Sequence, residues 1–229
     1  MTTRITVINP NTSVELTAGI TKAAQGIAGS GVTVSGVNPS SGVPSVESHA
    51  EEAIAALGVI EQVRLHQDST DAYVIACFGD TGVLAAREVA TCPVVGMTEA
   101  ALQTACLLAH RFVVITLPAR TIAHSERVVR ALGLEHRCSV VAVDVPVAEL
   151  LGGSDHLLDA FTAAATRVDD AEAVVLGCAG LADLAGPLAE RLAIPVIDGV
   201  AAGVGIAAGL VAMGLHTSRA NTFAPVVLS

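Results

Sequence analysis

Aromatic side chains are nearly missing from this chain: its 229 residues include no Trp, one Tyr and four Phe. Charge is thin as well, with Asp, Glu, Lys and Arg together at 15%, against the ~25% usual in soluble domains. The charge present is mostly of one sign, 12 Lys+Arg against 22 Asp+Glu, for a formal net charge of -10. With no basic run and no aromatic surface for base stacking, nucleic-acid binding is excluded. An acidic field also disfavours polyanionic substrates and suits a neutral or weakly charged small molecule. The cysteines, at 77, 92, 106, 138 and 178, are odd in number and form no CxxC. That excludes a disulfide framework and a zinc knuckle, and reads as reduced thiols in a cytoplasmic protein. The first residues, MTTRITVINPNTS, lack the charged and long apolar regions of a signal peptide.

What is abundant is small and aliphatic. Hydrophobic residues make up 52% and Gly contributes 21 positions. A disordered chain is excluded, because such chains lack the apolar surface to fold. The core must be Ala, Val, Leu and Ile, and small residues let helices and strands approach closely. Residues 199–215 carry no charge and contain a GxxxG at Gly205 and Gly209. The run is short for a membrane span of ~20 residues and rich in Gly, so it reads as a buried helix. The GVGIAAG at 203–209 falls inside that helix, where packing explains its glycines better than a dinucleotide loop does. Walker and GxSxG motifs are absent. The seven His never take HxH or HExxH spacing, so no metal centre is expected.

Val- and Ile-rich runs alternate with helical patterns. RITVIN (4–9), VTVSGV (32–37), AYVIAC (72–77) and PVVGM (93–97) read as strands, with helices near 12–27, 48–67 and 81–91. Near-continuous apolar runs indicate parallel strands buried on both faces. The order then recurs. RFVVIT (111–116) and SVVAVDVP (139–146) repeat the first two strands 107 residues on, VVLGCAG (174–180) repeats VIACFG 101 residues on, and IPVIDG (194–199) repeats CPVVGM 102 residues on. The chain therefore reads as a duplicated α/β unit, two pseudo-symmetric lobes each with a mostly parallel open sheet. The expected division is 1–102 for the first lobe and 103–207 for the second, with 208–229 returning to the first.

Duplication has a chemical consequence. Ligands bind beyond the carboxyl ends of parallel strands, and Cys77 and Cys178 end the third strand of each lobe. Facing lobes would point the two thiols into one cleft from opposite sides. That suits removal of a proton from one face of a carbon and delivery of another to the opposite face. The small residues after each thiol are expected to let backbone N–H groups converge, to bind an oxyanion and to lower the thiol pKa. Core packing is the plain alternative, and it is the reading kept for Cys92, Cys106 and Cys138.

INPNTS (8–13), DAYVIACFGDTG (71–82), AREV (86–89), AEAVVLGCAGLADL (171–184) and PVIDGV (195–200) resemble the hydantoin/allantoin racemase branch of the aspartate/glutamate racemase superfamily, and the resemblance extends to GLHTSRAN (214–221). It implies two flavodoxin-like lobes, an active site in the cleft between them, no cofactor, and catalytic Cys77 and Cys178. Amino-acid racemases of the superfamily carry Asn-Thr and Thr-His after their cysteines. This chain has Phe78-Gly79 and Ala179-Gly180 instead, which argues against free aspartate or glutamate as substrate.

By symmetry Asn9 and Thr116 end the first strand of each lobe and are expected to contact the ligand. Asn11 and Ser45 join them as candidates, with Phe78, Gly79, Ala179 and Gly180 beside the thiols. Glu47 reads as a helix N-terminal charge. The sequence thus supports a cofactor-independent racemase of 5-substituted hydantoins using two cysteines at C5. Allantoin is the nearest alternative substrate, followed by a maleate-isomerase-like reaction and by a non-catalytic small-molecule binder. A homo-oligomer with no membrane partner is expected.

Overall fold

The computed structural model describes residues 2–152 and 155–224. The apolar runs become eight strands: β1 (Thr3–Ile8), β2 (Val32–Val37), β3 (Ala72–Ile75), β4 (Val94–Gly96), β5 (Phe112–Thr116), β6 (Cys138–Ala142), β7 (Ala173–Gly177) and β8 (Val196–Asp198). The helices are α1 (Val14–Ile27), α2 (His49–His66), α3 (Val83–Val89), α4 (Met97–Leu108), α5 (Ile122–Ala131), α6 (Leu158–Ala165), α7 (Ala185–Leu192) and α8 (Gly199–Ala212). Two four-stranded sheets form, ordered β2-β1-β3-β4 and β6-β5-β7-β8. Every pairing in them is parallel. The duplication read from the sequence is therefore a repeated topology. Both sheets are covered on both faces, which is why their strands are apolar throughout.

Helix starts follow local chemistry. Ser13 caps α1 by accepting from the Leu16 N–H at 3.2 Å. Ser48 caps α2 by accepting from the Glu51 N–H at 3.3 Å, while Glu51 reaches back to the Glu47 N–H at 2.9 Å. Such caps satisfy N–H groups that the helix itself leaves unpaired.

One arrangement was hidden in the sequence. On the first sheet, α1 shares its face with α8: Ile5, Val7 and Val74 pack with Ile20, Val200, Val204 and Ala207. On the second sheet, α5 shares its face with α4: Leu102 and Ala105 pack with Val114, Val129 and Val175. The helix that follows each lobe's fourth strand thus covers the other lobe's sheet. The expected boundaries at 102 and 207 fall inside α4 and α8, so division by packing moves residues 97–102 to the second lobe and 199–207 to the first. Of the expected returning segment 208–229, residues 225–229 lie outside the described residues.

Glycine allows the exchange. A Cβ on Gly199 would sit 2.7 Å from Met97 Cε, and one on Gly203 would sit 2.8 Å from Val74 Cγ1. The first turns of α4 and α8 therefore touch. Gly205 and Gly209 have nothing within 4 Å of such a Cβ, so packing accounts for Gly203 and not for the GxxxG pair. α8 is buried along one face and not all round. Among the described residues, no helix is long and apolar enough to cross a membrane.

Candidate active site

The carboxyl ends of β1, β3, β5 and β7 converge on one cavity between the lobes, lined by Asn9, Cys77, Thr116 and Cys178 among others. The two sheets match in register there: Ile8 pairs with Ile75 in the first, as Ile115 pairs with Leu176 in the second. Asn9 and Thr116 hence take equivalent places, one residue past those pairs. The cavity is small, about 40 Å³.

The two thiols differ in surroundings. Cys77 Sγ lies 3.4 Å from Thr81 Oγ1. The chain then turns through three residues of positive φ, Gly79, Asp80 and Gly82. Cys178 stands at the N-terminus of a 3-10 turn, Ala179–Leu184, where the nearby Gly180 and Ala179 N–H groups favour its thiolate. The convergence expected from sequence occurs at this thiol. The expected fall in thiol pKa does not. Burial pushes Cys77 up to about 12, with the Thr81 hydroxyl opposing it and the Cys178 charge adding to it. Burial pushes Cys178 up to about 11, against its backbone donors. Desolvation of a thiolate outweighs a few hydrogen bonds here, so both groups rest as thiols at neutral pH. All five cysteines are free and half-buried.

The other sequence candidates divide. Asn9, Asn11, Phe78, Thr116 and Ala179 line the cavity. Asn9 is 1% exposed and donates to Asn11 Oδ1 at 2.8 Å and Thr17 Oγ1 at 3.0 Å. Thr116 shares a 2.8 Å hydrogen bond with Thr121. Phe78 packs against the cores of both lobes. Ser45, Gly79 and Gly180 lie outside the lining. Ser45 donates to Glu47 Oε1 at 2.8 Å. Gly79 serves the turn: its φ is +99° and a Cβ would meet His124 Cβ at 3.1 Å. Gly180 packs against Leu150 and Leu16.

Glu47 does not act as the helix charge read from sequence. Its carboxylate accepts the Val147 N–H at 3.2 Å, tying a loop of one lobe to a loop of the other. The first turn of α2 carries Glu51 and Glu52 instead. Sequence reasoning also missed Leu16, Val46, Ala76, Leu117, Thr121, Val147 and Gly177, which complete the wall. Thr121 had a signal, five residues past Thr116 in a duplicated loop. The apolar residues had none, since nothing in their type distinguishes them from core.

Two polar clusters flank the Cys77 turn. Asp80 accepts the Thr98 and Glu99 N–H groups at 2.8 and 2.9 Å, capping α4 from outside, while the Gly79 N–H donates to Thr98 Oγ1 at 2.8 Å. Burial, with the Glu99 charge adding, pushes the Asp80 carboxyl up to about 7. On the opposite side Arg127 of α5 pairs with Glu52 of α2 and donates to the Gly79 carbonyl at 2.9 Å. Against that pair lie His49 and His124, ring centroids 4.5 Å apart. Burial lowers the His124 pKa, with the Glu52 charge opposing it. His49, Glu52 and His124 are the described residues placed to hold a metal ion. No spacing rule finds them, because they come from different lobes.

Known proteins bear on this geometry. The family profile described as Asp/Glu/Hydantoin racemase matches residues 5–207. The hydantoin racemase of Pseudomonas sp. (strain NS671) is 39% identical over 226 residues, covering 96% of this chain and 90% of that one. Allantoin racemase from Klebsiella pneumoniae superposes with a TM-score of 0.95 at 41% identity, covering 100% of this chain and 95% of that one. Allantoin racemase from Pseudomonas fluorescens gives 0.94 at 36% identity, covering 99% and 98%.

Proposed function

The chain belongs to the Asp/Glu/hydantoin racemase family, and from that premise we propose that it racemises 5-substituted hydantoins at C5 by two-cysteine proton transfer without a cofactor. It is an isomerase of the racemase type. The observation that carries the mechanism is the pair of thiols at equivalent strand ends of two facing lobes, lining one cavity.

The steps follow from the geometry. One cysteine, once ionised, takes the C5 proton and becomes a thiol. The electron pair left at C5 delocalises onto the adjacent ring carbonyl as an enolate. The opposite thiol then protonates C5 from the other face and becomes the thiolate. The reverse reaction exchanges these roles. The Cys178 charge raises the Cys77 pKa, which favours one thiolate and one thiol over two thiolates. General acid–base work needs one group in each state.

The wall supports the substrate class. Asn9, Asn11, Thr116 and Thr121 offer polar partners to the ring, and Leu16, Val46, Leu117 and Val147 surround them. The apolar part favours an alkyl or aryl substituent, since a buried ureido group needs hydrogen bonds for its own donors and acceptors. The two allantoin racemases favour the second reading, a hydantoin ring with a ureido substituent. Polarimetry with both enantiomers of a 5-alkyl hydantoin, of allantoin and of aspartate decides. Faster turnover of allantoin selects the second reading, and faster turnover of aspartate overturns both. EDTA is expected to leave the rate unchanged. The same reading carries a cytoplasmic homo-oligomer, checked by light scattering and cell fractionation.

A further inference from the structure

Beside the Cys77 turn lies a group of side chains that proton transfer does not use, with His124 Cβ 3.1 Å from where a Gly79 Cβ would stand. His49 and Glu52 lie on one face of α2, three residues apart, and His124 projects from α5 of the other lobe. One donor atom from each lies within 4.8 Å of the others. His124 is 3% exposed. Among the described residues its ring has no hydrogen-bond partner and packs instead on the His49 ring. A buried imidazole without a partner is costly unless something claims its nitrogen. His49 is 71% exposed along its side chain and is free to swing.

We propose that His49, Glu52 and His124 form a binding site for a late first-row divalent cation, zinc above all, that ties the two lobes together beside the Cys77 turn. Two imidazoles and one carboxylate are a donor set that zinc accepts, with a water completing the tetrahedron. Coordination at about 2.0–2.2 Å requires the donors to close in from a spacing of up to 4.8 Å. Arg127 competes for Glu52. It yields one carboxylate oxygen and keeps the Gly79 carbonyl, now at 2.9 Å. The ion would thus bind α2 to α5 beside the Cys77 turn.

The complication is thiol binding, so the test uses full-length Cys77→Ser/Cys178→Ser protein. Zinc alone is titrated by calorimetry, and cobalt alone by visible absorption. We expect one zinc per chain, a cobalt spectrum without thiolate charge-transfer bands, and a higher melting midpoint with zinc. His49→Ala, at an exposed position, and Glu52→Gln, which keeps the shape of a side chain that is 15% exposed, should each weaken zinc at least ten-fold and abolish the melting shift. Loss of binding in the double-cysteine protein would overturn the proposal. So would zinc affinity unchanged by both His49→Ala and Glu52→Gln.

Discussion

The two lobes share a topology and divide the labour of their sites unequally. In the second lobe the swapped helix α8 is capped from its own strand, Asp198 accepting the Val200 and Ala201 N–H groups at 3.2 and 3.0 Å. In the first lobe the matching position is Gly96, where a Cβ would lie 2.4 Å from the Asp80 carboxylate. Asp80 supplies that cap from the turn that carries Cys77. The residue equivalent to Asp80 in the second lobe is Leu181, fully buried in its core. One thiol is therefore positioned by a charged tie to a neighbouring helix, the other by the start of a 3-10 turn. The lesson is that symmetry of fold sets where the two thiols stand, while their electrostatics are set locally. For a racemase this asymmetry has a bound. Enantiomers have equal free energy in water, so kcat/KM must match in both directions, and the lobes can differ only in kcat and KM separately.

The largest test removes one thiol at a time. Cys77→Ser and Cys178→Ser should each lower racemisation about 10²–10⁴-fold, the usual worth of a positioned acid or base, with circular dichroism unchanged. Residual C5 exchange in D2O should favour opposite enantiomers in the two variants. One variant racemising at the parental rate would break the equivalence. Next is pH. With Cys178 pushed up to about 11 and Cys77 to about 12, kcat/KM should climb from pH 7 to 9, by up to about tenfold per unit for one required deprotonation. A flat profile would mean that a thiolate already exists at neutral pH.

Smaller effects sharpen the comparison. Asn9→Ala strands the buried partners of a three-way network and should cost about 1–3 kcal/mol in urea unfolding. Thr116→Val keeps its shape and leaves Thr121 bonded to the Leu117 carbonyl at 2.9 Å, so about 1 kcal/mol or less is expected. Equal costs would show that the polar walls are interchangeable. Asp80 gives the most lobe-specific signal. Its folded pKa, about 7, lies above the ordinary 3.8, so between those values the folded state holds more protons than the unfolded. Stability from this group is present below pH 4 and is lost as pH rises to about 7, at no more than about 1.4 kcal/mol per pH unit. Asp80→Asn should flatten that slope in melting curves collected from pH 4 to 7.

How much of this was legible depends on whether the interaction is local. The strands were read from apolar runs and the thiol pair from the repeat, because β3 and β7 carry their cysteines at equivalent ends. Asn9 and Thr116 followed from the same offset. Ser45 lies in the loop after β2 as expected, but outside the cavity lining, where its hydroxyl serves Glu47. The fall expected in thiol pKa weighed hydrogen bonds and could not weigh burial, a property of the whole fold. Glu52 with His124, and Asp80 with α4, pair residues whose separation in the chain carries no pattern.

The exchange of α4 and α8 bears on how the protein is made. The face of the first sheet that holds Ile5, Val7 and Val74 is covered by Val200 and Val204. About 100 residues emerge from the ribosome between β4 and that helix, which takes about 5–20 s at ordinary synthesis rates of 5–20 residues per second. Through that interval the first lobe holds an open apolar face and cannot finish folding by itself. The halves mature together, and a nascent chain stalled before residue 199 is a client for a chaperone.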